Sequence, residues 1–230
     1  RETGTLTITA DATEVVVYIS GNTGTEKYDG TKKTVTGYKV TSISSDLYKE
    51  SDFAFTGNAT VSATDARATS YPMGLTAGNF ENKNENFSKV TFVVTDGSLT
   101  IDPRTVTLTS ESATKEYDGT PLTRPDVTVS GDGFVEGEVS GIKATGIITK
   151  VGEVDNDIVY TKEAGYKDSN YIVTPEIGKL GITRSSKELK VVANSGTWEY
   201  DGKFHADGGY TVTFGTETYT VAAGESAKLS

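Results

Sequence analysis

Three copies of Tyr-Asp-Gly, at residues 28–30, 117–119 and 200–202, are the first candidates for chemistry in this chain, and they stand 89 and 83 residues apart. A repeated aspartate invites a calcium-loop reading. Each copy, however, offers one carboxylate in three residues, whereas calcium takes six to eight oxygens. The structural alternative gives every residue a task. Asp-Gly turns the chain, with glycine supplying a positive φ, while the tyrosine covers a sandwich end and its hydroxyl finds a hydrogen-bond partner. Glu153, Asp155, Asn156 and Asp157 form the best oxygen cluster. They lack the Asp-x-Asp-x-Asp-Gly spacing of a dedicated loop, so a solvated turn is expected over 155–157.

Asn86 and Asn170 recur before an aromatic residue, as the asparagine of a Lys-Asn isopeptide bond would. That bond needs a desolvated lysine and a catalytic acid. No lysine recurs with them: Lys27 aligns with Glu116 and Glu199, and Lys115 with Glu26 and Trp198. Trp198 thus stands where the other copies carry charge, which points to solvent. An exposed indole there would stack on a sugar ring or cover a domain junction. The sole histidine, His205, and the absence of cysteine leave no Ser-His-Asp or Cys-His set within residues 11–184. Carboxylate pairs are numerous, but no pair is marked out and a small sandwich offers no deep cleft. No catalytic, cofactor-binding or metal-binding residue is assigned, and no cofactor is expected.

The elements that hold these residues recur as well. Asn86-Phe87 returns as Asn170-Tyr171, and each precedes a Gly-x-Leu-x-Ile strand, Gly97–Ile101 and Gly178–Ile182. The same pattern opens the chain at Gly4–Ile8, and Ala59-Thr60 with Thr64 returns as Ala144-Thr145 with Thr149. Several registers near one period mark a tandem array of small domains. Alternation of apolar and polar residues predicts strands over 15–19, 36–44, 52–56, 59–64, 89–94 and 98–102, then over 105–110, 126–130, 139–148, 157–161, 170–174 and 178–183. Loops are expected at Gly131-Asp132-Gly133 and Asp155-Asn156-Asp157. Pro103, between two strands, fixes φ and cannot donate a ladder hydrogen bond, so it marks a break between sheets.

Composition agrees with β-structure: 25 glycines, many Thr-Val alternations and no ten-residue window with a helical stripe. Without cysteine, no disulfide holds the domains, so each needs its own packed core. A net charge of −10 and a pI near 4.7 disfavour nucleic acid and anionic membrane surfaces as partners. The longest dense apolar stretch, Val15–Ile19, is too short to span a bilayer, so no membrane insertion is expected.

Lys115–Thr120 (Lys-Glu-Tyr-Asp-Gly-Thr), Ala144-Thr145, Asn170–Val173 (Asn-Tyr-x-Val) and Gly178–Ile182 together resemble the Tyr-Asp-Gly and MBG-type repeats of bacterial cell-surface proteins. Such repeats stand in tandem in large secreted or wall-attached adhesin-like proteins. The resemblance covers nearly the whole chain and is strongest in the second unit. The first departs from it at Asn86-Phe87-Ser88-Lys89 and in a longer middle. It implies all-β, immunoglobulin-like β-sandwiches arranged as an elongated rod, located outside the cell or on the bacterial surface.

The implied role is that of a non-catalytic stalk or spacer, with adhesion as a further role. The implied partners are neighbouring repeats of the same chain and a host or surface glycan or protein ligand. A glycan-binding or accessory module of a secreted carbohydrate-active enzyme is the alternative. The expected division is 1–10, the closing strand of a preceding repeat; 11–103, repeat 1; 104–184, repeat 2; and 185–230, an incomplete repeat 3. Unpaired edges at the two ends are expected to recruit end fragments of other molecules.

Overall fold

A computed structural model describes residues 3–215, 217 and 218. The protein is all-β, in several small sheets, with three single-turn 3-10 helices among the described residues, at Glu50–Asp52, Ala77–Asn79 and Asp168–Asn170. A first set of strands comprises β1 (Val15–Gly21), β2 (Thr23–Lys27), β3 (Lys33–Thr36), β4 (Tyr38–Ile43), β5 (Phe53–Phe55), β6 (Thr60–Ala63), β7 (Tyr71–Pro72), β8 (Phe80–Asn82), β9 (Val90–Thr95) and β10 (Ser98–Asp102). A second set comprises β11 (Arg104–Ser110), β12 (Ala113–Glu116), β13 (Leu122–Thr123), β14 (Val127–Gly131), β15 (Val139–Ala144), β16 (Ile147–Ile148), β17 (Gly152–Asn156), β18 (Ile158–Lys162), β19 (Tyr171–Glu176) and β20 (Gly178–Thr183). Three more strands follow: β21 (Leu189–Ala193), β22 (Tyr210–Phe214) and β23 (Glu217–Thr218).

The pairing order of the first set returns in the second. Orders β4-β1-β9 and β2-β10-β7 correspond to β14-β11-β19 and β12-β20-β17, and the pairs β3-β6 and β5-β8 correspond to β13-β16 and β15-β18. The opening strands show why. In β1 the alternate residues Val15, Val17 and Ile19 are buried, and in β11 Val106 and Leu108 are. Each opening strand is the middle member of its sheet, and its inward face is apolar except for the buried, hydrogen-bonded Ser110 at the end of β11. Pro103 stands between β10 and β11, which belong to different sheets.

The glycine of Gly-x-Leu-x-Ile answers to a close backbone crossing. A Cβ on Gly97 would lie 2.5 Å from the Asn22 carbonyl oxygen, and one on Gly178 would lie 2.4 Å from that of Glu111. The closing strand therefore crosses the end of the opening strand where only glycine fits.

The chain divides into two compact units, Arg1–Leu108 with Val129–Gly141 and Tyr160–Thr174, and Thr109–Thr128 with Ile142–Val159 and Pro175–Ser230. In the first, Val15, Val17, Ile19, Tyr48, Leu75, Phe80 and Phe87 form a buried core with Phe53, Phe55 and Phe92 packed on it. In the second, Leu122, Leu180 and Ile182 pack with Ala113, Tyr117, Ile148 and Val154.

The structure departs from the expected elements in several places, β8 and β13 lying outside every expected strand and β3 sharing only Thr36 with one. Residues 155–157 are not a free loop, because β17 runs through Asn156 and pairs with β20. The strands β2, β7, β12 and β17, too polar or too short for an alternation signal, are held by ladders with β10 and β20. Residues 4–8, expected as a strand, form none. Leu6 is 92% and Ile8 89% exposed, against 0% and 1% for Leu99 and Ile101. The parallel partner of each paired closing strand precedes it in sequence, β2 before β10 and β12 before β20. Of the expected end segments, residues 1, 2, 216 and 219–230 lie outside the described residues.

Candidate functional site

Each Tyr-Asp-Gly is a turn locked by its aspartate. Gly30, Gly119 and Gly202 have φ of 80°, 81° and 76°. Asp29 Oδ1 accepts from Thr31 N at 2.9 Å, Asp118 Oδ1 from Thr120 N at 2.9 Å and Asp201 Oδ1 from Lys203 N at 2.9 Å. A basic side chain lies against each carboxylate: Lys33 Nζ 2.5 Å from Asp29 and Lys115 Nζ 2.8 Å from Asp118, with the His205 ring nitrogen Nε2 2.8 Å from Asp201. Lys33 and the Thr31 hydrogen bonds hold Asp29 well below the usual carboxylate range, as Lys115 and Thr120 do for Asp118. The aspartate oxygens are thus engaged in the turn itself.

The tyrosine does more. Tyr28 N donates to the Asp102 carbonyl at 2.9 Å, which fixes the residue at the end of the β2–β10 ladder. Its ring is 3% exposed and meets Tyr171 edge-on, with centroids 5.7 Å apart. Its hydroxyl donates to Glu138 Oε1 at 2.5 Å, and the Tyr171 hydroxyl donates to Glu138 Oε2 at 2.6 Å. Glu138 is buried, and both its oxygens are satisfied by phenols of different strand sets. Burial, reinforced by Glu138, raises the Tyr28 phenol far above its ordinary value and that of Tyr171 to about 12.

The chain around Glu138 is shaped to present it. Glu138 N donates to the Val135 carbonyl at 3.2 Å, closing a turn, and its own carbonyl accepts from Glu163 N at 2.9 Å. Val135 N donates to the Tyr171 hydroxyl at 3.0 Å. Tyr166 stacks on Tyr171 at 5.1 Å, and Phe134 packs against the same ring at 5.2 Å. Around this box, Arg104 donates to the carbonyls of Gly133, Asp132 and Tyr28. Asp132 takes Lys27 Nζ at 2.8 Å and Thr105 N at 2.9 Å. Lys27 is the chief reason its carboxyl is held down to about 2.

A second tie lies beside the box. Asn170, fully buried, accepts from Ala66 N at 2.7 Å and donates to Asp65 Oδ1 at 3.0 Å, while Lys167 Nζ sits 2.5 Å from Asp65 Oδ2. All these residues belong to the first compact unit.

The remaining sequence candidates fall elsewhere. Asn86 is exposed and is no counterpart of Asn170. Lys27 and Lys115 are paired with Asp132 and Asp118, not with Asn86 or Asn170. Asn156 points inward: its amide donates to the Glu111 and Arg124 carbonyls and accepts from Gly146 N. Glu153 and Asp155 lie on the other face with Lys179, 3.8 and 3.4 Å away. No group of three or more metal-binding side chains occurs among the described residues. Trp198, 47% exposed, stacks on His205 at 5.5 Å.

Sequence reasoning missed Glu138. A signal existed in the second set, which carries Tyr171 where the first carries Phe87. A hydroxyl added at a buried aromatic position demands an acceptor.

Among the described residues, no helix is long and apolar enough to cross a membrane. The chain matches no known family model, no curated protein and no solved structure.

Proposed function

We propose that the chain is a non-catalytic spacer: tandem immunoglobulin-like β-sandwich repeats of an extracellular or bacterial-surface protein, holding a binding region away from an anchor. The repeated pairing order of the two strand sets supports the tandem reading. The observation that carries the mechanical reading is the burial of Tyr28, from the first strand set, against Glu138 and Tyr171 of the second. A flexible linker would leave the motif tyrosine in water. Here two phenol–carboxylate bonds and an aromatic box join successive sets, so the junction resists bending. Aromatic burial with satisfied polar ends gives direction as well as strength. Neighbouring repeats are thereby partners of one another.

The cysteine-free chain permits a direct experiment. Spin labels on cysteines placed at the exposed residues Lys39 and Thr161 should give one narrow distance distribution. A broad distribution would contradict the spacer reading.

A second reading, a glycan-binding or accessory module, draws on the exposed aromatics Trp198, Tyr200 and Phe204. Glycan-array binding lost in Trp198→Ala would favour it over the spacer.

A further inference from the structure

One peptide bond in this chain joins an aspartate to a proline: Asp102–Pro103, the step from β10 into β11. Of the five prolines, the other four follow Tyr71, Thr120, Arg124 and Thr174. An Asp-Pro bond carries its own nucleophile and its own leaving group. The aspartate carboxylate reaches its own main-chain carbonyl carbon by closing a small ring, an attack that has the advantage of enforced proximity. The proline nitrogen, part of a tertiary amide, leaves as a secondary amine.

The fold keeps this chemistry open. Asp102 ends β10 with an exposed side chain, and among the described residues its carboxylate takes part in no hydrogen bond or ion pair. Its carbonyl oxygen, by contrast, is held, because Tyr28 N donates to it at 2.9 Å. A fixed donor there stabilises the negative charge that builds on the oxygen when the carbonyl carbon is attacked. Tyr28 is itself anchored by burial and by Glu138. The charged groups around Asp102 are Lys27, opposite it in the β2–β10 ladder and paired with Asp132, and Arg104, which donates to the carbonyls of Gly133, Asp132 and Tyr28. Both cations are engaged elsewhere. The matching step in the second set, Thr183-Arg184, has Tyr117 N on the Thr183 carbonyl at 2.9 Å but neither the carboxylate nor the proline.

We propose that Asp102–Pro103 is a site of self-cleavage. An Asp102 carboxylate oxygen bonds to the Asp102 carbonyl carbon, and the bond from that carbon to Pro103 N breaks, its electron pair staying on the nitrogen, which takes a proton from solvent. One water then opens the cyclic anhydride, restoring the Asp102 side chain and leaving a free α-carboxylate. Nothing is oxidised or reduced. The cut parts the covalent chain between strand sets but spares the contacts that cross it: Tyr28 with Glu138, Lys27 with Asp132, and Asp65 with Lys167 and Asn170. A cleaved chain therefore stays together, joined by side chains alone. This inference does not rest on the spacer reading.

The full chain, kept for days at the lowest pH at which circular dichroism still reports its β-structure, should yield fragments 1–102 and 103–230. Mass spectrometry should show that their masses sum to the parent plus one water, with Thr183–Arg184 intact. In native size exclusion the fragments should elute together, and in denaturant they should part. Cleavage should be at least about tenfold faster in the folded chain than in denaturant at the same pH, because unfolding removes the Tyr28 donor. Asp102→Asn, at an exposed position, should fold and stay whole. A parent chain that stays whole would overturn the proposal. So would cleavage that is as fast in denaturant or in Asp102→Asn, while fragments that separate under native conditions would overturn the held joint.

Discussion

At Tyr28, Tyr171 and Glu138, three side chains settle one another's state. A phenol buried beside a carboxylate ionises only at the cost of placing two negative charges together in a site removed from water. Tyr28 and Tyr171 therefore hold their protons above the ordinary phenol value, Tyr171 to about 12. Because their folded values are raised, their contribution to stability is fully present below an unfolded value of about 10 and is lost as pH rises through the folded values. Phenolate absorbance should show at least four of the 12 tyrosines, Tyr28 and Tyr171 together with Tyr48 and Tyr166, resisting ionisation until well above the ordinary value. Ionisation of every tyrosine near the ordinary value, with the fold intact, would refute the buried triad. Asn156 shows what residue type alone conceals. As an acidic-run member it reads as a turn residue, yet three backbone groups satisfy its amide inside the protein.

At the scale of strands, the closing strand shows most clearly how sequence becomes structure. Leu99 and Ile101, and Leu180 and Ile182, alternate with polar residues and face inward, so the pattern was readable directly. The glycine that opens the paired patterns was readable as a repeat but not as a cause, because the crossing that demands it involves Asn22 or Glu111, between strands far along the chain. Gly178→Ala should cost on the order of 2–4 kcal/mol in chemical denaturation, since its Cβ would meet backbone that cannot yield. A loss below about 0.5 kcal/mol would mean the crossing is looser than described.

Four of the strands that sequence missed share a physical reason. β2, β7, β12 and β17 carry Thr, Gly, Lys and Glu, or are two residues long, and owe their extended form to hydrogen bonds with β10 and β20 rather than to an apolar stripe. Such partners lie far along the chain, beyond the reach of a local pattern. The site was legible in half. Tyr-Asp-Gly announced a turn in all three copies and, at Tyr28, a buried tyrosine with a bonded hydroxyl, whereas Tyr200 is 98% exposed. The acceptor Glu138, 110 residues away, did not announce itself.

For the molecule as a whole, the link between successive strand sets is the consequential feature. Lys27–Asp132 and Lys167–Asp65 flank the buried triad, and each lysine holds its aspartate below the usual carboxylate value, Asp132 to about 2. Depressed folded values mean that these pairs contribute above an unfolded value of about 4 and are lost as pH falls toward the folded one. The melting temperature should therefore fall more steeply over that acid window in the parent chain than in Asp132→Asn. Both pairs are at the surface, so the difference should be small and should shrink in high salt. Parallel curves in low salt would remove these pairs from the account.

The claim on which the spacer reading depends is that Tyr28 and Glu138 are energetically coupled across two strand sets. A double-mutant cycle on unfolding free energy, with Tyr28→Phe, Glu138→Ala and the pair, measures this directly. A hydrogen bond to a buried carboxylate predicts a coupling of about 1–3 kcal/mol. Losses that add to within about 0.5 kcal/mol would contradict it, leaving the motif tyrosine as packing alone.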